Sequence, residues 1–321
     1  VLMPSSTPQP PAFSAEKETT KTISADPIVA SDALMKKEDF VNLSLSPGES
    51  KAPRIVMDAK GNLHITWKEQ VDPDHWSILH RWRSQAGSGS ETQTIIKNMP
   101  LITQVSDDYL MTNSQGEACA LWQVNKLGTK NELFSACGFE SLGQAQDTGV
   151  VLSLTQNDPS MQYTASGMIE TVFADYGKTL MFNDKSLSQG FQQISNLFFR
   201  IDQTGIYHVV WAKGITTHTV YHRFSRDAGA TWSEAAILND PSANQAVTGL
   251  NFEVDAAGQG HLIFRQMQKL YYRQWSQEQG WSSLQLVSEI TPTINWIILK
   301  VIPSGKPCIL LVSPLELLTV Q

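Results

Sequence analysis

Phe199-Arg-Ile-Asp202-Gln-Thr-Gly205-Ile-Tyr-His208-Val-Val-Trp211 is the stretch that decides the fold. It reads as an apolar strand, a tight Asp-x-x-Gly turn, and a second strand ending in an aromatic residue. The turn needs positive φ, which glycine adopts at little cost. The same text returns as Arg54-Ile-Val-Met-Asp58-Ala-Lys-Gly61-Asn-Leu-His64-Ile-Thr-Trp67 and as Phe252-Glu-Val-Asp255-Ala-Ala-Gly258-Gln-Gly-His261-Leu-Ile-Phe264. A weaker copy is Met111-Thr-Asn113-Ser-Gln-Gly116-Glu-Ala-Cys119-Ala-Leu-Trp122, and two degenerate copies centre on Gly167 and Gly305.

Aligned on the turn glycine, the copies place His64, Cys119, Glu170, His208, His261 and Cys308 three residues on. Six residues on stand Trp67, Trp122, Phe173, Trp211, Phe264 and Leu311, all large and apolar, as packing between stacked sheets requires. Third strands follow, such as Ile78-Leu-His-Arg81, Val220-Tyr-His-Arg223 and Leu270-Tyr-Tyr-Arg273, then fourth strands such as Ala236-Ile-Leu238 and Ser283-Leu-Gln-Leu-Val287. Apolar and polar residues alternate throughout, and almost nothing has helical periodicity. Several strands in a period near 40–50 residues point to propeller blades. The expectation is an all-β, six-bladed β-propeller. The last repeat has only three strands, and Asp39-Phe-Val-Asn-Leu-Ser-Leu45 resembles an orphan fourth strand. That N-terminal strand is expected to complete the last blade and remove an exposed sheet edge. Residues 1–38, rich in Pro, Ser and Thr, read as a solvated tether before the propeller domain at 39–321.

Composition excludes several classes. The chain has 321 residues, 41% of them hydrophobic, which supports a sizeable core. Its net charge of -7 repels phosphates, and no basic run offsets it, so nucleic acid is not an expected partner. No apolar run approaches the ~18–20 residues that span a bilayer. The chain starts at Val1, and a tether after a lost signal peptide suits an exported protein, secreted or lipid-anchored through its N-terminus in the cell envelope. Of the three cysteines, Cys119 and Cys137 fall on adjacent expected strands. The odd count argues against a disulfide framework, so buried free thiols are expected.

One motif carries a family resemblance. Ser225-Arg-Asp227-Ala-Gly229-Ala-Thr231-Trp232 lies between the third and fourth strands of the fourth repeat. It resembles the Asp-box, S-x-D-x-G-x-T-W, of the bacterial neuraminidase repeat, matching at Ser225, Asp227, Gly229, Thr231 and Trp232. Ser276-Gln-Glu-Gln-Gly280-Trp281 is a degenerate relative. The resemblance implies a sialidase-like propeller over roughly residues 39–321. Fold does not imply activity. Sialidases of this kind hold the substrate carboxylate with three arginines and use a Tyr–Glu nucleophile pair with an Asp acid/base. The nearest text to their first arginine motif is Pro53-Arg54-Ile55-Val56, which lacks both the aromatic residue and the proline. Arg81, Arg223 and Arg273 share one repeat position, as do His64, His208 and His261. A side chain that recurs once per blade reads as structural, and no metal site is expected. No Tyr–Glu pair can be assigned, and no cofactor is implied.

A site is expected instead on the face formed by the loops between second and third strands, where residues depart from the repeat. The first blade offers Glu69, Asp72, Asp74, His75 and Trp76: acids, an imidazole and an aromatic platform able to stack on a sugar. Other blades contribute Lys126 and Lys130, Asp175 and Tyr176, Lys213 and His218, and Arg265. The expected role is a non-catalytic extracytoplasmic module that binds a glycan or a protein partner. Two alternatives are a divergent sialidase-like glycoside hydrolase or lyase, and an accessory structural subunit of an envelope complex.

Overall fold

Six glycines in the left-handed region turn the chain between the first and second strands of six sheets: Gly61 (φ 80°), Gly116 (77°), Gly167 (84°), Gly205 (85°), Gly258 (78°) and Gly305 (81°). They are the six aligned in the sequence. The computed structural model describes residues 50–320, apart from 73–74, 85–88, 90, 101–107, 127–129, 154–155, 189–192, 216–217, 241, 243–244, 290–295, 302–304 and 313–316. The expected tether and the expected strand Asp39–Leu45 lie outside the described residues, as does Asp74.

Sheet one holds β1 (Ser50–Met57), β2 (Leu63–Asp72), β3 (His75–Arg83) and β4 (Gln93–Pro100). Sheet two holds β5 (Asp108–Thr112), β6 (Ala118–Lys126), β7 (Lys130–Gly138) and β8 (Gln146–Ser153). Sheet three holds β9 (Gln156–Tyr163), β10 (Ile169–Asp175), β11 (Thr179–Phe182) and β12 (Lys185–Ser186). Sheet four holds β13 (Ile194–Ile201), β14 (Tyr207–Lys213), β15 (Thr219–Ser225) and β16 (Ala236–Ile237). Sheet five holds β17 (Val247–Val254), β18 (Gly260–Gln266) and β19 (Lys269–Ser276), with β20 (Gly280–Trp281) and β21 (Gln285–Glu289) both pairing β19. Sheet six holds β22 (Trp296–Val301), β23 (Pro307–Val312) and β24 (Leu317–Val320). Every pairing is antiparallel and joins strands of one repeat, and the described residues contain no α-helix.

The repeat extends to fine detail. The first strand carries one extra residue against its partner at Lys51/Arg54, Ser195/Phe198 and Thr248/Asn251. Each bulge falls ten to seven residues before the turn glycine. A bulge bends the strand and tightens its twist.

The sheets stack on one another through separate apolar clusters. Between sheets three and four lie Val172, Leu180, Phe182, Phe199, Tyr207 and Trp211. Between sheets four and five lie Val210, Leu238, Leu250, Phe252 and Phe264. The aromatic position six past the glycine is buried at Trp67, Trp122, Phe173, Trp211 and Phe264. Each such ring contributes about 1.5–3 kcal/mol of burial. First strands neighbour one another from sheet to sheet: β1 with β5, β9 with β13, β13 with β17, β17 with β22.

One expectation is corrected. Cys119 and Cys137 form a disulfide rather than two free thiols. They stand directly opposite each other in the β6–β7 ladder, so pairing register alone brings the two sulfurs into bonding range.

Candidate functional site

The repeated imidazoles are spoken for by the scaffold. In the turn of sheet four, Asp202 Oδ1 accepts from the backbone N–H of Thr204 (2.8 Å) and Ile206 (2.9 Å). Its other oxygen meets His208 Nε2 at 3.5 Å, and His208 Nδ1 meets His222 Nε2 at 3.2 Å. Trp281 Nε1–H, from sheet five, donates to His222 Nδ1 at 3.0 Å. An indole only donates, so His222 must accept there and donate through Nε2. The polarity runs Trp281 to His222 to His208 to Asp202, with both rings neutral. Burial, and the presence of His208 beside it, pushes the His222 pKa well down; burial also lowers that of His208, against the pull of Asp202.

Sheet one has the same rings with a different end. His64 Nε2 meets Asp58 Oδ2 at 3.1 Å, His64 Nδ1 meets His80 Nε2 at 3.0 Å, and His80 Nδ1 faces Gln93 Oε1 at 3.3 Å. That amide oxygen is fixed as an acceptor by the backbone N–H of Leu142, which donates to it at 3.0 Å. His80 therefore donates through Nδ1 and accepts at Nε2, and His64 donates at both nitrogens, onto His80 and onto Asp58. Burial and the neighbouring His64 lower the His80 pKa to about 4. Sheet five closes more simply: Tyr272 Oη and His261 Nδ1 are 2.7 Å apart, and His261 Nε2 meets Asp255 Oδ2 at 3.3 Å.

The Asp-box turn has the geometry its residues imply. Ser225 Oγ accepts from Gly229 N–H (2.8 Å) and donates to Asp227 Oδ1 (2.7 Å). Asp227 takes the N–H and the hydroxyl of Thr231 at 2.8 and 2.6 Å, bonds that lower its pKa to about 2. Gly229 is left-handed (φ 78°), and a Cβ there would strike the Phe182 ring of sheet three. Trp232 packs edge-on against the same ring. The box is a clamp between sheets three and four.

Glu170 occupies the histidine position of sheet three, partly buried, with Oε2 left without a hydrogen-bond partner among the described residues. Burial raises the pKa of the carboxyl, and burial together with Glu170 raises that of the Tyr207 phenol in sheet four. Tyr207 lies inside the apolar cluster between the two sheets, whereas Glu170 is only partly buried.

A cavity of about 670 Å³ is lined by the first strand of every sheet: Arg54 from β1, Tyr109 from β5, Met161 from β9, Arg200 from β13, Glu253 from β17 and Lys300 from β22. Glu253 accepts from Arg200 Nε (3.0 Å) and Nη2 (3.3 Å) and from Lys300 Nζ (3.1 Å). Burial works to raise the Glu253 pKa, but the two cations hold it below the usual carboxylate value. Arg200, Glu253 and Lys300 share one repeat position, five before the turn glycine. The repeat alignment could have revealed this trio; sequence reasoning passed over it because only three copies carry a charge there.

The loop-face candidates are spread over several sheets. Glu69 is buried and accepts from the Trp67 indole at 3.1 Å. Asp72 and His75 form an exposed pair, with Nδ1 2.8 Å from Oδ1. Trp76 packs into the cluster between sheets one and two. Asp175 and Tyr176 lie in the β10–β11 hairpin, and Lys213 and His218 flank the β14–β15 loop. The Val247 N–H donates to His218 Nδ1 at 3.1 Å. Arg265 donates from Nε to Thr248 Oγ1 at 2.9 Å. The side chains of Lys126 and Lys130 lie outside the described residues. Among the described residues, no group of three or more His, Cys, Asp or Glu side chains could hold a metal ion.

No family model matches the chain, and no curated protein does. Solved structures do. The α-L-arabinofuranosidase of Fusarium graminearum aligns at a TM-score of 0.53 with 9% identity, over 84% of this chain and 92% of its own. A Hadza microbial sialidase aligns at 0.47 with 12% identity, over 85% of this chain and 65% of its own. The α-L-arabinanase of Penicillium chrysogenum aligns at 0.49 with 12% identity, over 84% and 92%. At this identity the likeness to the Fusarium protein is one of fold alone, that of an all-β propeller.

Proposed function

We propose that the six sheets are the blades of a closed six-bladed propeller of the Asp-box kind. It works outside the cytoplasm as a non-catalytic module that presents its loop face to a glycan or a protein partner. The observation that carries this reading is where the reactive side chains are spent. The histidines are tied to turn aspartates, Tyr207 is buried in the cluster between sheets three and four, and Arg200 and Lys300 are matched to Glu253. A glycosidase needs two carboxyls facing one another across a reachable site. The Cys119–Cys137 disulfide suits an oxidising compartment. Among the described residues, no helix is long and apolar enough to cross a membrane.

The Asp72–His75 pair favours a second reading, a divergent hydrolase or lyase, because it places an exposed carboxylate against an imidazole on the loop face. One experiment separates the two. Polysaccharides are screened for retention on the immobilised protein and for release of reducing ends or unsaturated products. A binding module retains a glycan without turnover, and Trp76→Ala weakens retention. Turnover that Asp72→Asn abolishes without lowering the melting temperature would replace the binding reading with the enzymatic one.

A further inference from the structure

The shortened Asp-box of sheet five is a motif that the proposed function leaves unused. In sheet four the complete box spends its side chains on the turn, where Asp227 takes the N–H and the hydroxyl of Thr231. In sheet five Ser276-Gln277-Glu278-Gln279-Gly280-Trp281 is two residues shorter, and the aspartate and the threonine are gone. Ser276 Oγ still accepts from the Gln279 N–H at 3.1 Å. Gln277, Glu278 and Gln279 are exposed, and among the described residues none of their side chains bonds to the turn.

A second departure lies beside it. Across the β2–β3 ladder His64 faces Trp82, and across the β14–β15 ladder His208 faces Phe224. Across the β18–β19 ladder His261 faces Gln274, an amide where the other two sheets place a ring. Gln274 Nε2 donates to Gln259 Oε1. An amide carries two N–H donors and an oxygen with two lone pairs. Among the described residues, that bond leaves both side-chain N–H groups of Gln259, the second N–H of Gln274 and the Gln274 oxygen without a partner. These amides line a cavity of about 950 Å³ between sheets four and five, at the strand ends away from the loops that join second and third strands. Gln277 and Gln279 line it from the shortened box, and Arg226 lines it from the complete one.

The lining selects a class of ligand. Arg226 rests over the Phe224 ring at 4.7 Å, Glu278 offsets its charge, and Asp202 is committed to its own turn and to His208. A charged ligand meets no surplus of opposite charge there. An apolar side chain finds no slot, since Trp275 is buried and Trp281 packs into the cluster between sheets four and five. What the cavity offers is amide donors and acceptors side by side, the complement of neighbouring sugar hydroxyls, each of which both donates and accepts.

We infer that this cavity is a second ligand site and takes a neutral glycan chain. It lies at the opposite end of the strands from the loop face and does not depend on the reading of that face. The test is affinity electrophoresis of the full chain in native gels containing dextran, arabinan, mannan or galactan. At least one of the four retards the wild type. Gln274→Phe restores the ring of sheets one and four, fills the cavity and weakens that retardation about tenfold. Gln277→Ala combined with Gln279→Ala changes two exposed side chains, melts with the wild type and weakens it severalfold. Trp76→Ala, on the loop face, leaves it in place. The inference is overturned if none of the four polysaccharides retards the wild type, or if either glutamine variant, folded by its melting curve, is retarded as strongly. It is also overturned if Trp76→Ala alone abolishes the retardation, which would put the glycan on the loop face and leave the proposed function standing.

Discussion

Sheets one and four use the same pair of stacked imidazoles at the same repeat positions, yet their hydrogen-bond chains end on partners of opposite kind. In sheet four the chain ends on the Trp281 indole, a donor, and both rings stay neutral. In sheet one it ends on the Gln93 amide oxygen, an acceptor. The lesson is that a repeat fixes where the rings sit, while one partner at the end of the chain fixes which way the hydrogen bonds run. Sheet two fills the same slot with a disulfide, and sheet three with the partly buried carboxyl of Glu170.

The largest expected effect comes from emptying the slot. His208→Ala leaves a cavity among Phe252 and Trp275 and strips Asp202 of its ring partner, and should cost about 3–5 kcal/mol in denaturant unfolding. A loss below 1 kcal/mol would mean that the imidazole chain is incidental. Reduction comes next: breaking the 18-residue link between Cys119 and Cys137 should cost about 3 kcal/mol. An unfolding midpoint unchanged by dithiothreitol would remove sheet two from the comparison.

Acid should act in the same direction on several sheets. His80, His208, His222 and His261 all have pKa values lowered by burial, so the unfolded chain binds more protons than the folded one. Stability is fully present above about pH 6.5 and falls as pH drops, with the His80 share lost by about pH 4. A flat urea midpoint from pH 7 to 4.5 would contradict neutral rings in the fold. The smallest effect is the sharpest. Trp281→Phe removes one N–H, should cost about 1 kcal/mol, and frees His222 Nδ1 to take a proton. Its imidazole resonances should then titrate nearer pH 6.5 than in the wild type, while those of His80 stay where they were.

Much of the architecture was legible in the text because the repeat is written in turn glycines, and all six adopt the left-handed geometry expected of them. The structural reading of His64, His208 and His261 was legible for the same reason. The disulfide was not, because an odd cysteine count hides a pair that only strand register brings face to face. The charged trio Arg200, Glu253 and Lys300 was hidden by the 53 and 47 residues that separate its members. Tyr176, Lys213 and Arg265 stood out as departures from the repeat, whereas nothing in the text singles out Ile215 or Met267, exposed at the same loops. Whether a side chain points into a sheet interface or off a hairpin tip is decided by packing.

Among the described residues, every ladder joins strands of one repeat. Assembly can therefore proceed from the N-terminal side during synthesis, each hairpin closing before the next repeat leaves the ribosome. A growing stack of this kind exposes two uncovered sheet faces, that of its first repeat and that of the repeat just completed, the latter until its successor stacks on it. A halt in synthesis between repeats would then leave a shorter stack with two sticky ends.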